Sequence, residues 1–203
     1  MVWPYNNSFV LADAREAWLL EASASHWALK RLREGGSASN HTAIGSDWDE
    51  LSRDCIAHAI ASGWWSGHAG RFDFAAAYSD ESVVPAVVSS GRYRTTCAAL
   101  AEAGGGLDVA AFKRVMRDHY EALDVHAPGR MPDDERFFSV CMHAGPVGVT
   151  AASMIVELGA APGGAPRPVW VSFCNPCVSP YLPVFLEAAI PAEYVAGGRD
   201  AED

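Results

Sequence analysis

The sequence has little positive charge and no long apolar run. Its 203 residues include 15 Lys and Arg against 25 Asp and Glu, so the formal net charge is −10. This shortage of positive charge disfavours a general binder of nucleic acid or of anionic membranes. The longest apolar stretches, such as Val149–Val156, are far shorter than the ~20 residues of a membrane-spanning helix. We therefore expect neither a nucleic-acid partner nor a membrane partner.

Cysteine is also scarce. Five cysteines, an odd number in a chain of this length, do not form the disulfide framework of a small secreted domain. The first residues have no basic region, and Asp13 and Arg15 interrupt the first apolar run, so the pattern of a signal peptide is missing. We expect reduced thiols and a cytoplasmic location.

Apolar residues, in contrast, are plentiful. They make up 50% of the chain, which excludes disorder as the main state because disordered chains are poor in them. A chain of 203 residues suits one domain with a substantial core. We predict a single domain over residues 1–203, in which 186–203 form a loose tail.

The N-terminal part of the sequence predicts an antiparallel sheet. Ser8–Asp13 and Ala17–Glu21 are short apolar runs on either side of a polar turn, the pattern of a β-hairpin. His26–Leu32 is a candidate third strand, and Ser39–Ile44 a candidate fourth.

The pattern then becomes helical. Apolar residues recur at helical spacing in three segments: Asp49–Gly63, Arg92–Ala103 and Val109–Leu123. An aspartate at 47 or 49 is the expected N-cap of the first helix, and Gly63 its end. Asp108 is the expected N-cap of the third helix.

The last third returns to short apolar runs. We predict strands at Arg136–His143, Val149–Leu158 and Pro168–Phe173, after a loop at His126–Asp134, and an irregular segment from Asn175 onward. The order of strands, helices and strands lacks the alternation of a doubly wound parallel sheet, so it predicts the α+β class. Common nucleotide-binding and metalloprotease motifs are absent from the sequence.

Cysteine and histidine recur in two short motifs. Cys174 and Cys177 form a C-x-x-C, and Cys141 lies two residues before His143. If the two segments are neighbours, these four residues provide a Cys₃His zinc site. Alternatively, they are small buried residues with one thiol in a loop. A redox C-x-x-C normally begins a helix, whereas a predicted strand precedes this one.

Two further positions have side chains suited to catalysis. Asn40 lies at the start of a predicted strand, where its amide can donate to an oxyanion; alternatively it satisfies the backbone of a turn. Arg92 and Arg94 flank Tyr93 and either position a carboxylate or a nucleophile or remain in solvent.

Asp118 and His119 are a third pair suited to acid–base chemistry. Adjacent positions on a helix do not face each other, and a histidine near a helix C-terminus complements the helix dipole. We therefore expect His119 to serve the helix end.

The order of several motifs resembles a known family. Segments across most of the chain resemble the secernin and dipeptidase group of N-terminal-nucleophile (Ntn) hydrolases: Tyr5–Asp13, Glu16–Glu21, His26-Trp27, Ser39-Asn40, Ile44, Gly63–Trp65, Phe72–Ala75, Tyr78–Asp80, Arg117–His119, Cys141–His143, Thr150–Met154, Val169-Trp170 and Pro176-Cys177.

The resemblance implies a fold and a chemistry. The fold is an αββα sandwich of two antiparallel sheets between helix layers, here a partial one. The chemistry is hydrolysis of small peptides or acyl amides without a cofactor, by an N-terminal Cys thiolate whose α-amine is the base. The resemblance places Asn40 at the oxyanion and aligns Arg92 with an arginine that supports the nucleophile in related choloylglycine-type enzymes.

The sequence departs from this family at its start. Family members begin with the nucleophilic Cys and a long stretch of sheet before the hairpin, whereas here the hairpin comes at once. We expect a truncated enzyme that lacks the nucleophile, is inactive alone and self-associates through unpaired strand edges. The alternatives are a non-catalytic scaffold or interaction remnant of the fold, and a Cys/His zinc protein.

Overall fold

A computed structural model describes residues 6–67, 70–82, 86–104, 106–120, 138–144, 148–159 and 162–189. This part of the chain is mixed α/β with antiparallel sheets, compatible with the predicted α+β class. None of its helices is long and apolar enough to span a membrane.

The first sheet contains the predicted hairpin. Its strands are β1 (Asn6–Ala12), β2 (Ala17–Ser23), β3 (His26–Leu32) and β4 (Glu50–Leu51), in the order β1-β2-β3-β4. All neighbouring pairs are antiparallel. The turn between β1 and β2 is closed by Asp13, whose Oδ1 accepts from the backbone N–H of Arg15 at 2.7 Å. The hairpin and the third strand are confirmed.

The predicted strand Ser39–Ile44 is wrong, because this segment is a loop. The carboxylate of Glu21, 1% exposed, accepts from the backbone N–H groups of Ala43 and Ile44 at 2.8–2.9 Å. A side chain therefore takes the place of a strand partner. The position beside β3 belongs to β4 instead, where Ala28 pairs with Leu51.

Four α-helices follow in the described residues: α1 (Cys55–Ala61), α2 (Phe74–Tyr78), α3 (Ala86–Ala103) and α4 (Val109–Val115). The predicted start of α1 is wrong. Asp47 pairs with Lys30, and Asp49 accepts from the backbone N–H of Arg31 at 2.6 Å, so both aspartates bind β3 rather than capping a helix. Gly63, at φ 74, follows the end of α1 as expected.

The other two predicted helices are found with altered bounds. α3 begins before Arg92 and ends at Ala103 as predicted, and Gly104 with φ +55 follows it. Asp108 caps α4 as predicted, its Oδ1 accepting from the backbone N–H of Ala111 at 2.7 Å. α4 ends at Val115, and Tyr120 at φ 66 turns the chain away from the helical path that was predicted to continue.

Two small sheets complete the described chain. β5 (His143–Ala144) pairs with β6 (Gly148–Val149), and β7 (Ala152–Val156), β8 (Val169–Phe173) and β9 (Leu182–Val184) form an antiparallel sheet in that order. β7 and β8 lie within the predicted strands Val149–Leu158 and Pro168–Phe173 and confirm them.

The remaining predictions for the last third are corrected or untested. Within Arg136–His143, residues 138–142 are not a strand, and 136–137 lie outside the described residues. β9 contradicts the wholly irregular segment predicted after Asn175. The loop His126–Asp134 and residues 190–203 of the predicted tail lie outside the described residues.

The main core lies between the first sheet and the helices α1 and α2. Its buried residues are Leu19, Ala28, Ile44, Cys55, Ala59, Phe72, Phe74, Ala77 and Tyr78. Tyr78 completes it by donating its hydroxyl to the Cys55 carbonyl at 2.8 Å. β1 is an edge strand of the described sheet, and its side chains are largely exposed, with Leu11 at 53%.

Candidate functional site

The structure brings Asn40 and Arg92 together. These residues are separated by 52 positions, yet the Arg92 guanidinium donates from Nη2 to Asn40 Oδ1. Asn40 lies in the loop after β3, Arg92 lies on α3, and both are half-buried. The two candidate catalytic residues thus form one polar unit.

The loop that carries Asn40 is held by its own side chains and by residues of β1 and β2. Ser39 Oγ accepts from the backbone N–H of His41 at 3.0 Å, and Thr42 Oγ1 accepts from Asn6 Nδ2 at 3.4 Å. Beyond them, the buried Glu21 carboxylate binds the backbone of 43 and 44. Asn40 is therefore fixed without belonging to a strand.

Contacts along α3 hold Arg92. Thr96, one turn further along, is hydrogen-bonded to Ser37 and donates to the Arg92 carbonyl at 2.9 Å. Gly91 lets Tyr120 approach the helix closely, since a Cβ at position 91 would lie 2.6 Å from the Tyr120 hydroxyl oxygen. That hydroxyl cannot easily retreat, because Tyr120 is 3% exposed and donates to the Phe138 carbonyl at 3.0 Å.

Two aromatic rings flank the pair and are uncharged at neutral pH. The rings of His41 and Tyr93 lie 5.2 Å apart. Burial, assisted by the positive charge of Arg94, lowers the pKa of His41, and burial raises the pKa of Tyr93 to about 12. At neutral pH both rings are uncharged, and the guanidinium of Arg92 is in direct contact with Asn40. The carboxylate of Glu81 also acts on His41 and opposes the shift in its pKa.

The carboxyl group of Glu21 is buried against the loop that carries Asn40. Burial raises its pKa, and the hydrogen bonds from the backbone N–H groups of Ile44 and Ala43 oppose that shift. Those hydrogen bonds commit the carboxylate to the loop backbone. Through them the side chain of Glu21 holds the loop in place.

The geometry of the pair suits oxyanion binding. Because Asn40 Oδ1 accepts from Arg92, the side-chain amide is oriented with Nδ2 as its donor end. An amide donor beside a fixed guanidinium can bind a carbonyl oxygen as it gains negative charge. A groove of about 1180 Å³ is lined by Ser37 and Tyr93, but neither Asn40 nor Arg92 lines it.

The cysteine and histidine candidates lie elsewhere, beside β5. His143 Nε2 lies 3.6 Å from Cys141 Sγ and 3.2 Å from Cys177 Sγ. Cys174 does not join them. It is exposed, has φ 86, and its Sγ contacts Asn175 Oδ1 at 3.6 Å. Three of the four residues of the proposed Cys₃His set therefore meet.

The fourth member of this cluster is His119, which sequence reasoning assigned to a helix end. α4 stops at Val115, so His119 lies beyond the helix, where it is 8% exposed and its ring centroid is 5.1 Å from that of His143. Nothing in the local pattern indicated this position. The only available signal was the presence of His119 in one of the segments that carry the family resemblance.

No family model matches the sequence. No solved structure matches the chain either.

Proposed function

We propose that the chain belongs to a secernin-like amide hydrolase of the cysteine Ntn class, built on the αββα sandwich and acting on small peptides or acyl amides. The hydrogen bond between Arg92 and Asn40 carries this proposal. The resemblance selected these two residues independently of each other, and they are in contact.

Asn40 donates from Nδ2 to the oxygen of the scissile amide. That oxygen becomes negatively charged as the tetrahedral intermediate forms, so the hydrogen bond strengthens along the reaction. Removing one such donor typically slows catalysis about 10²–10³-fold. Arg92 holds the amide in the donating orientation and adds positive charge beside it.

The surroundings suit a substrate that bears a carboxylate. Arg94 is exposed on the same helix as Arg92 and hydrogen-bonds to Ser90 at 3.0 Å. Arg92 and Arg94 are two positions apart on α3 and therefore lie on different faces of the helix, but the charge of Arg94 acts on His41, the neighbour of Asn40. Two guanidinium groups near the loop of Asn40 favour a peptide or an N-acyl amino acid with a free carboxylate over a neutral amide.

The nucleophile is not one of the five cysteines of this chain. Cys55 is buried in the main core, Cys97 is within α3, and the other three lie around β5 and β8. Family chemistry requires a thiolate next to a free α-amine, which an internal cysteine does not have. We therefore expect the purified chain to bind substrate analogues without cleaving amides, and thiol-dependent cleavage of dipeptides by it would contradict this expectation.

A dipeptide phosphonamidate, which presents a tetrahedral anion in place of the scissile amide, tests the site. Calorimetric titration is expected to show binding to the wild-type chain and at least tenfold weaker binding to Asn40→Ala. Arg92→Lys is also expected to weaken binding, because an ammonium cannot reproduce the guanidinium fork. Asn7→Ala, at an exposed position of β1, is the matched control. Absence of binding, or equal binding by Asn40→Ala and wild type, would refute the proposal.

A further inference from the structure

We propose that the chain has a structural zinc site with two imidazole and two thiolate ligands: His119, Cys141, His143 and Cys177. One possible ligand atom from each of the four side chains lies within 4.8 Å of all the others. The site lies beside β5 and is separate from the Asn40–Arg92 pair.

The distances fit a tetrahedral zinc ion. Zinc binds sulfur at about 2.3 Å and nitrogen at about 2.0–2.1 Å, so the ligand atoms of a tetrahedral site lie about 3.3–3.8 Å apart. The two sulfur atoms lie 3.6 Å and 3.2 Å from His143 Nε2. The remaining separations, at most 4.8 Å, require inward movements of about 1 Å or less to reach the same range.

Hydrogen bonds that do not involve the ligand atoms hold the three contributing segments together. The Cys141 N–H donates to the Asp118 carbonyl at 3.0 Å, which joins the segment of His119 to that of Cys141. Asn175 Nδ2 donates to the Met142 carbonyl at 3.0 Å, which joins the loop of Cys177 to the same segment.

Arg117 fixes the loop of Cys177 from both sides. Its guanidinium donates from Nε to the Pro176 carbonyl at 2.7 Å and from Nη2 to the Ser179 carbonyl at 3.2 Å. Pro176 is fully buried. These contacts fix the backbone on both sides of Cys177.

The ligand set and its burial favour a structural zinc ion. Two thiolates and two neutral imidazoles balance the charge of Zn²⁺, and four protein ligands leave no open coordination position for catalysis. Cys141 is 0% exposed and His119 8% exposed, while His143 and Cys177 are half-buried, so the ion would be partly shielded from solvent. Sulfur and imidazole ligands select zinc over Mg²⁺ or Ca²⁺, which prefer oxygen.

Metal analysis and Co²⁺ substitution test the site on the full chain. We expect one zinc ion per chain after purification without chelator. Co²⁺ added to the metal-free chain is expected to give the intense ligand-field and thiolate charge-transfer bands of a tetrahedral site with two sulfurs. Zinc should raise the Tm and protect two of the five thiols from alkylation, since a bound thiolate is not available to the reagent.

Two cysteine variants separate the site from nonspecific thiol binding. Cys177→Ser is expected to weaken zinc binding at least ~100-fold, more than the loss typical of an outer contact. Cys174→Ser, three residues away in the same loop but outside the cluster, should bind zinc as the wild type does.

Several results would overturn the proposal. They are substoichiometric zinc with no tetrahedral Co²⁺ spectrum in the wild type, equal loss of zinc in both variants, or a disulfide between Cys141 and Cys177 in the freshly purified chain. The wild-type measurements decide the question even where Cys177→Ser does not fold. They are also independent of the phosphonamidate titration, so either proposal can fail alone.

Discussion

Replacing Glu21 by glutamine tests how the loop of Asn40 is held. The buried carboxylate accepts from two backbone N–H groups, those of Ala43 and Ile44. Glutamine retains one oxygen acceptor and places an NH₂ donor against the other N–H. A hydrogen bond to a charged group contributes about 1.5–3 kcal/mol, and an unsatisfied buried donor costs about 1–3 kcal/mol.

Glutamine also removes a charge from the protein interior. Burial disfavours that charge, as the raised pKa of Glu21 shows, so its removal offsets part of the lost stability. We expect a net fall of about 2 kcal/mol in the free energy of unfolding for Glu21→Gln, and about 3–5 kcal/mol for Glu21→Ala, which leaves both N–H groups without an acceptor.

Urea denaturation followed by tryptophan fluorescence measures both changes. Glu50→Gln removes the same charge from an exposed position in the same sheet and should change the stability by less than about 0.5 kcal/mol. If Glu21→Gln proves as stable as the wild type, the carboxylate does not hold the loop, and this reasoning about Asn40 is refuted.

Four further predictions concern the fold and the site. Gly91→Ala should lower the stability by about 1–3 kcal/mol, because the new Cβ would meet the buried hydroxyl of Tyr120; an unchanged Tm in differential scanning fluorimetry would contradict the close packing. Asp108→Ala should cost about 0.5–2 kcal/mol in urea denaturation through loss of the α4 cap, and no cost would mean that the cap is dispensable. Because burial lowers the pKa of His41, its contribution to stability is present above its usual pKa of 6.5 and is lost as the pH falls through the lowered value. His41→Asn should therefore flatten the dependence of unfolding on pH between neutral and mildly acidic conditions, and an unaltered profile would argue against it. Finally, we expect self-association through the exposed edge strand β1, with Leu11→Lys shifting the light-scattering mass toward the monomer; a monomeric wild type would contradict this.

Local patterns were sufficient where a segment forms its own structure. The short apolar runs on either side of the polar turn at Asp13 predicted the hairpin, and the next apolar segment predicted β3, because those strands pair with their sequence neighbours. Asp108 was identified as a cap because capping depends on the residues that directly follow. The bounds of α1 were missed because Asp47 and Asp49 are bound to β3, a partner that the local sequence does not show.

Long-range contacts decided the rest. The conformation of the loop around Asn40 depends on a buried carboxylate about twenty positions earlier in the chain. Secondary-structure propensities do not describe a side chain that accepts the hydrogen bonds a neighbouring strand would otherwise accept. The contact between Asn40 and Arg92 was likewise not deducible from spacing. His119 was misjudged because its predicted helix was too long, and Cys174 because proximity in sequence to Cys177 does not give proximity in space.

The buried hydroxyl of Tyr120 has a consequence for how the two regions affect each other. Tyr120 follows His119 directly, abuts Gly91 beside Arg92, and binds the Phe138 carbonyl shortly before Cys141. One side chain thus joins the helix of the oxyanion pair to the segments of the metal cluster. By thermodynamic linkage, an ion that tightens substrate binding through this connection must be bound more tightly, by the same factor, when substrate is present. Metal affinity measured with and without the phosphonamidate would therefore give the coupling free energy between the two sites, and Tyr120→Phe would show how much of it depends on the hydroxyl of Tyr120.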